Sequence, residues 1–218
     1  MKLPNYLLTI AMFGVAACTT YTGEPANPIE RSLTWFSYLA GDDIKAACRS
    51  GAPDRYRFVY NGIYQRQIRG YELTPTATGA ELTVRARGIS GQVDRFGFDH
   101  PFGPWEMVNG RAELDNATAA KIVDDFATAV ATSPSAAGKN LDSNAYYWIV
   151  ASCSGGVFSL HGFLYPDVDT NALAFAKLLL AHDDSGVPFR AAKHVEGLDR
   201  DVFSVQINAA GNDLVGRL

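Results

Sequence analysis

The stretch from Arg55 to Ile89 constrains the fold more than any other part of the chain. Side chains alternate in character along Arg55-Tyr56-Arg57-Phe58-Val59-Tyr60, then from Ile63 to Leu73, then from Glu81 to Ile89. A period of two is the mark of strands that bury one face. Asn61-Gly62 separates the first two runs and is a strong short hairpin signal, because the favoured two-residue turns need positive φ. Thr74 to Ala80 supplies the next turn. Strands joined this closely pair as neighbours, which predicts a three-stranded antiparallel meander. Tyr146 to Ser152 and Val157 to Tyr165 repeat the pattern across Ser154-Gly155-Gly156 and predict a second hairpin, with Val202 to Ile207 as a final strand.

Helical segments fall between these hairpins. Ser32 to Cys48 reads as one or two short helices broken near Gly41, with Asp42 or Asp43 as a cap. Asp115 or Asn116 caps a helix that sets Ile122, Val123, Phe126 and Val130 on one face and ends before Pro134. Asp169 or Thr170 caps another, Asn171 to Ala181, apolar nearly all round and therefore expected to be buried. Residues 90–114 are rich in Gly, Pro and aromatics and read as a long ordered loop. In it Phe96, Phe98, Phe102 and Trp105 suit either a core plug or a contact surface. Local pairing with intervening helices gives an α+β class. The expectation is a mostly antiparallel sheet of five to six strands with two to three helices packed on one face, not a parallel βαβ fold.

The N-terminus has a different character. Lys2 is followed by an uncharged run from Tyr6 to Ala17, and then Val15-Ala16-Ala17-Cys18 closes the segment. The apolar run is shorter than the roughly 20 residues a spanning helix needs, and its layout is that of a secretory signal. The four residues ending in Cys18 resemble the lipobox of bacterial lipoproteins. That resemblance covers about the first 20 residues. It implies cleavage after Ala17, lipid on Cys18, and a domain held at the membrane through acyl chains. Thr19 in place of an aspartate mildly favours the outer over the inner membrane by the rule of that class. The organisation then reads as a signal peptide (1–17), a lipid-anchored tether (18–30) and a single periplasm-facing domain (31–218).

The chain of 218 residues has 19 Lys plus Arg against 23 Asp plus Glu, a formal charge of −4. That balance excludes a general nucleic-acid binder, which needs a basic excess. No Gly-rich phosphate loop, zinc spacing or Gly-x-Ser-x-Gly elbow occurs, so no nucleotide, metal or other cofactor is expected. Asp167-Val168-Asp169-Thr170-Asn171 opens like a calcium loop, but Ala172 and Leu178 stand where Gly and Glu are needed. With Cys18 committed to lipid, Cys48 and Cys153 are left to form one disulfide in an oxidising compartment.

Arginines carry the main binding expectation. Arg55 and Arg57 share one strand face, as do Arg85 and Arg87, and Gln65, Gln67 and Arg69 are expected to complete it from the middle strand. Guanidinium groups gathered on one face can hold carboxylate or phosphate groups through paired hydrogen bonds. The expected function is therefore a non-catalytic envelope lipoprotein that binds a protein partner or an anionic component. The alternative is a small periplasmic hydrolase using His161 with Ser152, Ser154 or an Asp. His182 with Asp183 and Asp184 reads as a helix end where a cation offsets the dipole, His194 with Glu196 as a loop pair, and His100 carries no further pattern.

Overall fold

The computed structural model describes residues 28–88, 107–194 and 202–217. Cys18, the segment before it and the aromatic loop from Phe96 to Trp105 lie outside the described residues.

Two short helices open the fold, α1 (Pro28–Ala40) and α2 (Asp42–Ala47). They break at Gly41, which takes φ 68°. A Cβ there would stand 2.4 Å from the Cβ of Ala151, so glycine is needed both for the turn and for the approach to the sheet. Gly41 itself, and neither Asp42 nor Asp43, occupies the cap position of α2. Asp43 has another task, described below.

The meander follows as β1 (Arg55–Gly62), β2 (Ile68–Pro75) and β3 (Gly79–Arg87). Asn61-Gly62 is not its turn. Both residues stay in β1, where Asn61 pairs with Ile68 on one side and with Tyr147 on the other, and the chain reverses over 63–67. The Asn61 amide also donates to the carbonyls of Ser143 (3.1 Å) and Ala145 (2.6 Å). Pairing with a long central strand outweighs the local turn preference, and Ile63 accepts a left-handed φ of 65° as a result.

A fourth strand, β4 (Val108–Asp115), occupies the end of the segment expected to be loop. It pairs with β3 from Gly79↔Asp115 to Ala86↔Val108. Its sequence VNGRAELD has few β-branched or aromatic residues, and it is an edge strand with mostly open side chains, so its composition gives no strand signal. Asp115 then caps α3 (Asn116–Thr132) by accepting from the Thr118 N–H at 2.7 Å. The chain continues through β5 (Leu141–Asp142), the hairpin β6 (Tyr146–Ser154) and β7 (Val157–Leu164), then α4 (Ala174–Ala181). It closes with β8 (Ser204–Ile207) and β9 (Leu214–Arg217).

The result is an α+β fold. The main sheet is antiparallel with strand order β4-β3-β2-β1-β6-β7, and β5-β8-β9 form a small second sheet. Helices α3 and α4 make the expected layer on one face. There Phe58, Tyr71, Trp148 and Phe175 are fully buried, and Phe58 meets Phe126 edge-on at 5.6 Å. The opposite face is covered as well. Trp35, Tyr38 and Leu39 of α1, Ile44 of α2, and Val205 and Ile207 of β8 pack there on Val59, Ile149 and Ala151. Burial on both faces explains why β1 and β6 are nearly continuous in buried residues, unlike a half-solvated strand. The Cys48–Cys153 disulfide ties the segment after α2 to β6, across 105 residues of chain.

Candidate functional site on the arginine-bearing face

Arg55, Arg57, Arg85 and Arg87 do share one face of the meander, the one turned toward α1 and α2. Arg69 does not. It stands opposite Tyr60 and Ala86 in register, so it points with them to the α3–α4 face. The helical layer also changes what the shared face can do, because Arg57 is only 1% exposed and Arg87 only 7%.

Arg57 sits at the centre of an internal ion-pair network. Its two terminal nitrogens donate to the two carboxylate oxygens of Asp43, each at 2.8 Å. One of them also donates to the Tyr38 carbonyl at 3.1 Å, and Nε lies 3.3 Å from Glu72. The guanidinium stacks 4.2 Å from the centre of the Tyr38 ring. Arg85 donates to the same Glu72 oxygen at 2.8 Å, and Arg55 lies 3.5 Å from Asp43. Gly70 lets this happen, since a Cβ there would meet the Tyr38 hydroxyl at 2.3 Å. Arg87 donates to the Tyr64 carbonyl and lies over the Tyr64 ring.

Burial pushes the Asp43 carboxyl up, but the hydrogen bonds and charges of Arg57, with Arg55 and the Ile44 N–H, outweigh it and hold the group below the ordinary aspartate range. Burial likewise pulls Arg57 down, and the charge of Glu72 and the bonds to Asp43 more than reverse this. A carboxyl with a lowered folded pKa adds stability above its unfolded value of about 3.9. That contribution is lost as the pH falls below it. Urea titrations across pH 6 to 2 should therefore show Asp43→Asn losing its deficit against the parent at the acid end.

Arg69 belongs to a second network. It pairs with Asp183 and donates to the Val187 carbonyl, while the Tyr71 hydroxyl donates to Asp183 at 2.7 Å. Gln67 donates to the Pro188 carbonyl and accepts from the Arg190 N–H, both at 2.8 Å, and the Tyr60 hydroxyl donates to the Arg190 carbonyl at 2.8 Å. These bonds strap residues 183–190, which follow α4, across the α3–α4 face. Gln65 lies exposed in the turn after β1.

What stays open on the arginine face is its edge at β3 and β4. An open cleft of about 410 Å³ is lined there by Thr83, Arg85, Asn109, Gly110, Arg111 and Asp184. The Arg111 side chain is 67% exposed and lies 3.3 Å from Glu81. Its backbone N–H donates to Asp184 at 3.3 Å. Of the donors around it, the Thr83 hydroxyl is given to Glu81 at 3.3 Å and Arg85 to Glu72, and Asp184 adds a carboxylate, which leaves the exposed Asn109 amide and Arg111 guanidinium as the groups that can meet an anion.

His161 lies on β7 opposite Val150, packed edge-on to Phe126 at 5.8 Å. Burial holds its imidazole below the ordinary histidine range. Among the described residues no hydrogen bond joins it to a Ser or Asp. Ser152 instead bonds Ser159 at 2.8 Å, and Ser154 donates to Asp54 at 2.9 Å. Asp169 accepts from the Asn171 N–H, and Asp167 pairs with Lys139 at 2.8 Å. Among the described residues no group of three His, Cys, Asp or Glu gathers as a metal site, and no helix there is long and apolar enough to cross a membrane.

Of the carboxylate partners, sequence reasoning missed Asp43 and Asp183, while Glu72 and Glu81 are the partners that a bland reading of the face, as a solvated one, expects. Glu72 stands directly across from Arg57 in the β1–β2 register, which is why strand alternation alone places it on the arginine face. Asp43 and Asp183 approach from other layers and leave no trace in strand periodicity. Comparison with family models, with curated proteins and with solved structures gives no match.

Proposed function

We propose that the chain is a lipid-anchored envelope protein whose folded domain binds, without catalysis, an anionic group of an envelope component. The observation that supports recognition is the cleft at β3 and β4, where Arg85 and Arg111 stand with Thr83 and Asn109 around a solvent-open volume. Arg55 borders the Asp43 network, while Arg57, Arg69 and Arg87 act from inside as scaffold. The lipobox-like start ending in Cys18 supports the anchor, and the Cys48–Cys153 bridge suits an oxidising compartment.

Arg111 is the residue to change, since an exposed side chain can be replaced with little effect on stability. Titration of the full chain with inorganic phosphate, followed by amide NMR, should shift the signals of Thr83 to Arg85 and Asn109 to Arg111 saturably. Arg111→Glu should weaken that binding at least tenfold and remove the partner from pull-downs of solubilised membranes. Unchanged phosphate binding and an unchanged pull-down profile would overturn the cleft as the recognition site. The anchor has a separate readout: Cys18→Ser should move the protein from the membrane to the soluble fraction, and retention on the membrane would refute it.

A further inference from the structure

The Cys48–Cys153 bridge is not sealed inside the fold. A cleft of about 340 Å³ opens between the end of α2 and the start of β1, and both cysteines line it. They are covered unequally: Cys48 is half-buried, whereas Cys153 is only 2% exposed. The rim is the chain from Arg49 to Pro53, where Arg49, Ser50 and Gly51 are exposed. A small thiol from solvent can therefore meet this bridge, and the sulfur it meets belongs to Cys48.

The charge of the lining has one sign. Arg49 and Arg55 border the cleft, and no carboxylate lines it. Arg49 follows Cys48 directly and has no ion-pair partner among the described residues. Arg55 lies 3.5 Å from Asp43, but both Asp43 oxygens are already held by Arg57 at 2.8 Å, so its charge is only partly offset. Arg55 also stands opposite Cys153 in the β1–β6 register, and residues paired in this way project to the same side of the sheet. One guanidinium thus adjoins the sulfur open to attack, and the other borders the sulfur that must leave. Positive charge beside a sulfur favours its thiolate form.

We propose that this cleft is a thiol–disulfide exchange site for small thiols that carry a carboxylate. The attacking thiolate bonds to the Cys48 Sγ and the bond between the two cysteines breaks. Its electron pair passes to the Cys153 Sγ, which takes a proton from solvent. A second thiolate then attacks the sulfur of the bound thiol, and Cys48 leaves as a thiolate that is protonated in turn. Two thiols are oxidised to their disulfide and one bridge is reduced. Opening the bridge unfastens the segment after α2 from β6, so the layer over Ile149 and Ala151 answers to the thiols of its compartment. This site is independent of the Arg85–Arg111 cleft.

Two probes, 3-mercaptopropionate and cysteamine, are matched in size and opposite in charge. Each is applied to a full chain carrying Cys18→Ser, whose remaining two cysteines form the bridge. Each rate is divided by the rate of the same thiol on 2-hydroxyethyl disulfide, which removes differences in intrinsic reactivity. At low salt the normalised rate with 3-mercaptopropionate should exceed that with cysteamine by about fivefold or more, and the ratio should fall toward one in about 0.5 M sodium chloride. Peptide mapping of acid-quenched samples should find the adduct on Cys48. Arg49→Gln, at an exposed position, should lower the ratio by about threefold while the melting temperature stays within about 2 °C of the parent. A normalised ratio of one or less, an adduct on Cys153, a parental ratio in Arg49→Gln, or a bridge that neither thiol opens in the folded chain would overturn the proposal.

Discussion

A chain with both Cys48 and Cys153 replaced by alanine is expected to melt about 10–15 °C below the parent. On the chain-entropy description a bridge closing about 100 residues is worth up to about 4–5 kcal/mol. In a domain of this size each kcal/mol moves the midpoint by about 2–4 °C. The separation here is 105 residues. Position adds to length: the bridge fastens the segment after α2 to β6, an interior strand of the main sheet between β1 and β7. Helix α2 has six residues, too few to persist without tertiary support. Losing the staple therefore loosens the layer that covers Ile149 and Ala151. Thermal unfolding by circular dichroism checks this, with the parent in excess reductant as a second arm. Both arms should fall together, and a double variant within about 2 °C of the oxidised parent would refute the structural role.

Arg57→Ala is expected to destabilise the fold by about 3–5 kcal/mol, the range for removing one partner of a buried ion pair. Alanine removes both Arg57 hydrogen bonds from Asp43, leaves Glu72 to Arg85 alone, and opens a cavity beside Tyr38. Asp43 is partly reached by solvent, which places the expectation in the lower half of that range. The comparison that gives the number meaning is Arg111→Ala at the exposed edge, expected within about 0.5 kcal/mol of the parent. Urea unfolding of the two variants separates an internal scaffold from a solvent-facing ligand site. If Arg57→Ala unfolds like the parent, the network does not hold the fold together.

The two networks show why strand periodicity is a poor guide to which charges meet a ligand. An arginine on a strand face reads the same whether that face meets water or another layer. On this chain α1 and α2 close over Arg57, and the segment after α4 closes over Arg69. The missing knowledge was the position of helices, which depends on burial of Trp35, Tyr38 and Ile44 against strands far along the chain. The turn after β1 has the same lesson. Asn61-Gly62 has the local chemistry of a hairpin, yet pairing with β6 through Gly62↔Tyr146 extends β1 past it.

Local order was written plainly in the residues. Alternation marked β1, β2, β3, β6 and β7, the Asp115 cap and apolar stripe marked α3, Gly41 marked the break between α1 and α2, and the two cysteines marked the bridge. These are short-range patterns or covalent options, and they survive folding because neighbouring residues enforce them. Edge strand β4 and the outer strands β5 and β9 of the small sheet were not legible, because their stability comes from partners and not from their own composition; only β8 was, as the strand expected over Val202 to Ile207. Which face of the sheet each helix covers was decided only by tertiary packing. So was the fate of the arginines: a guanidinium seeks carboxylates, and only the folded chain brings Asp43, Glu72 and Asp183 to within its reach.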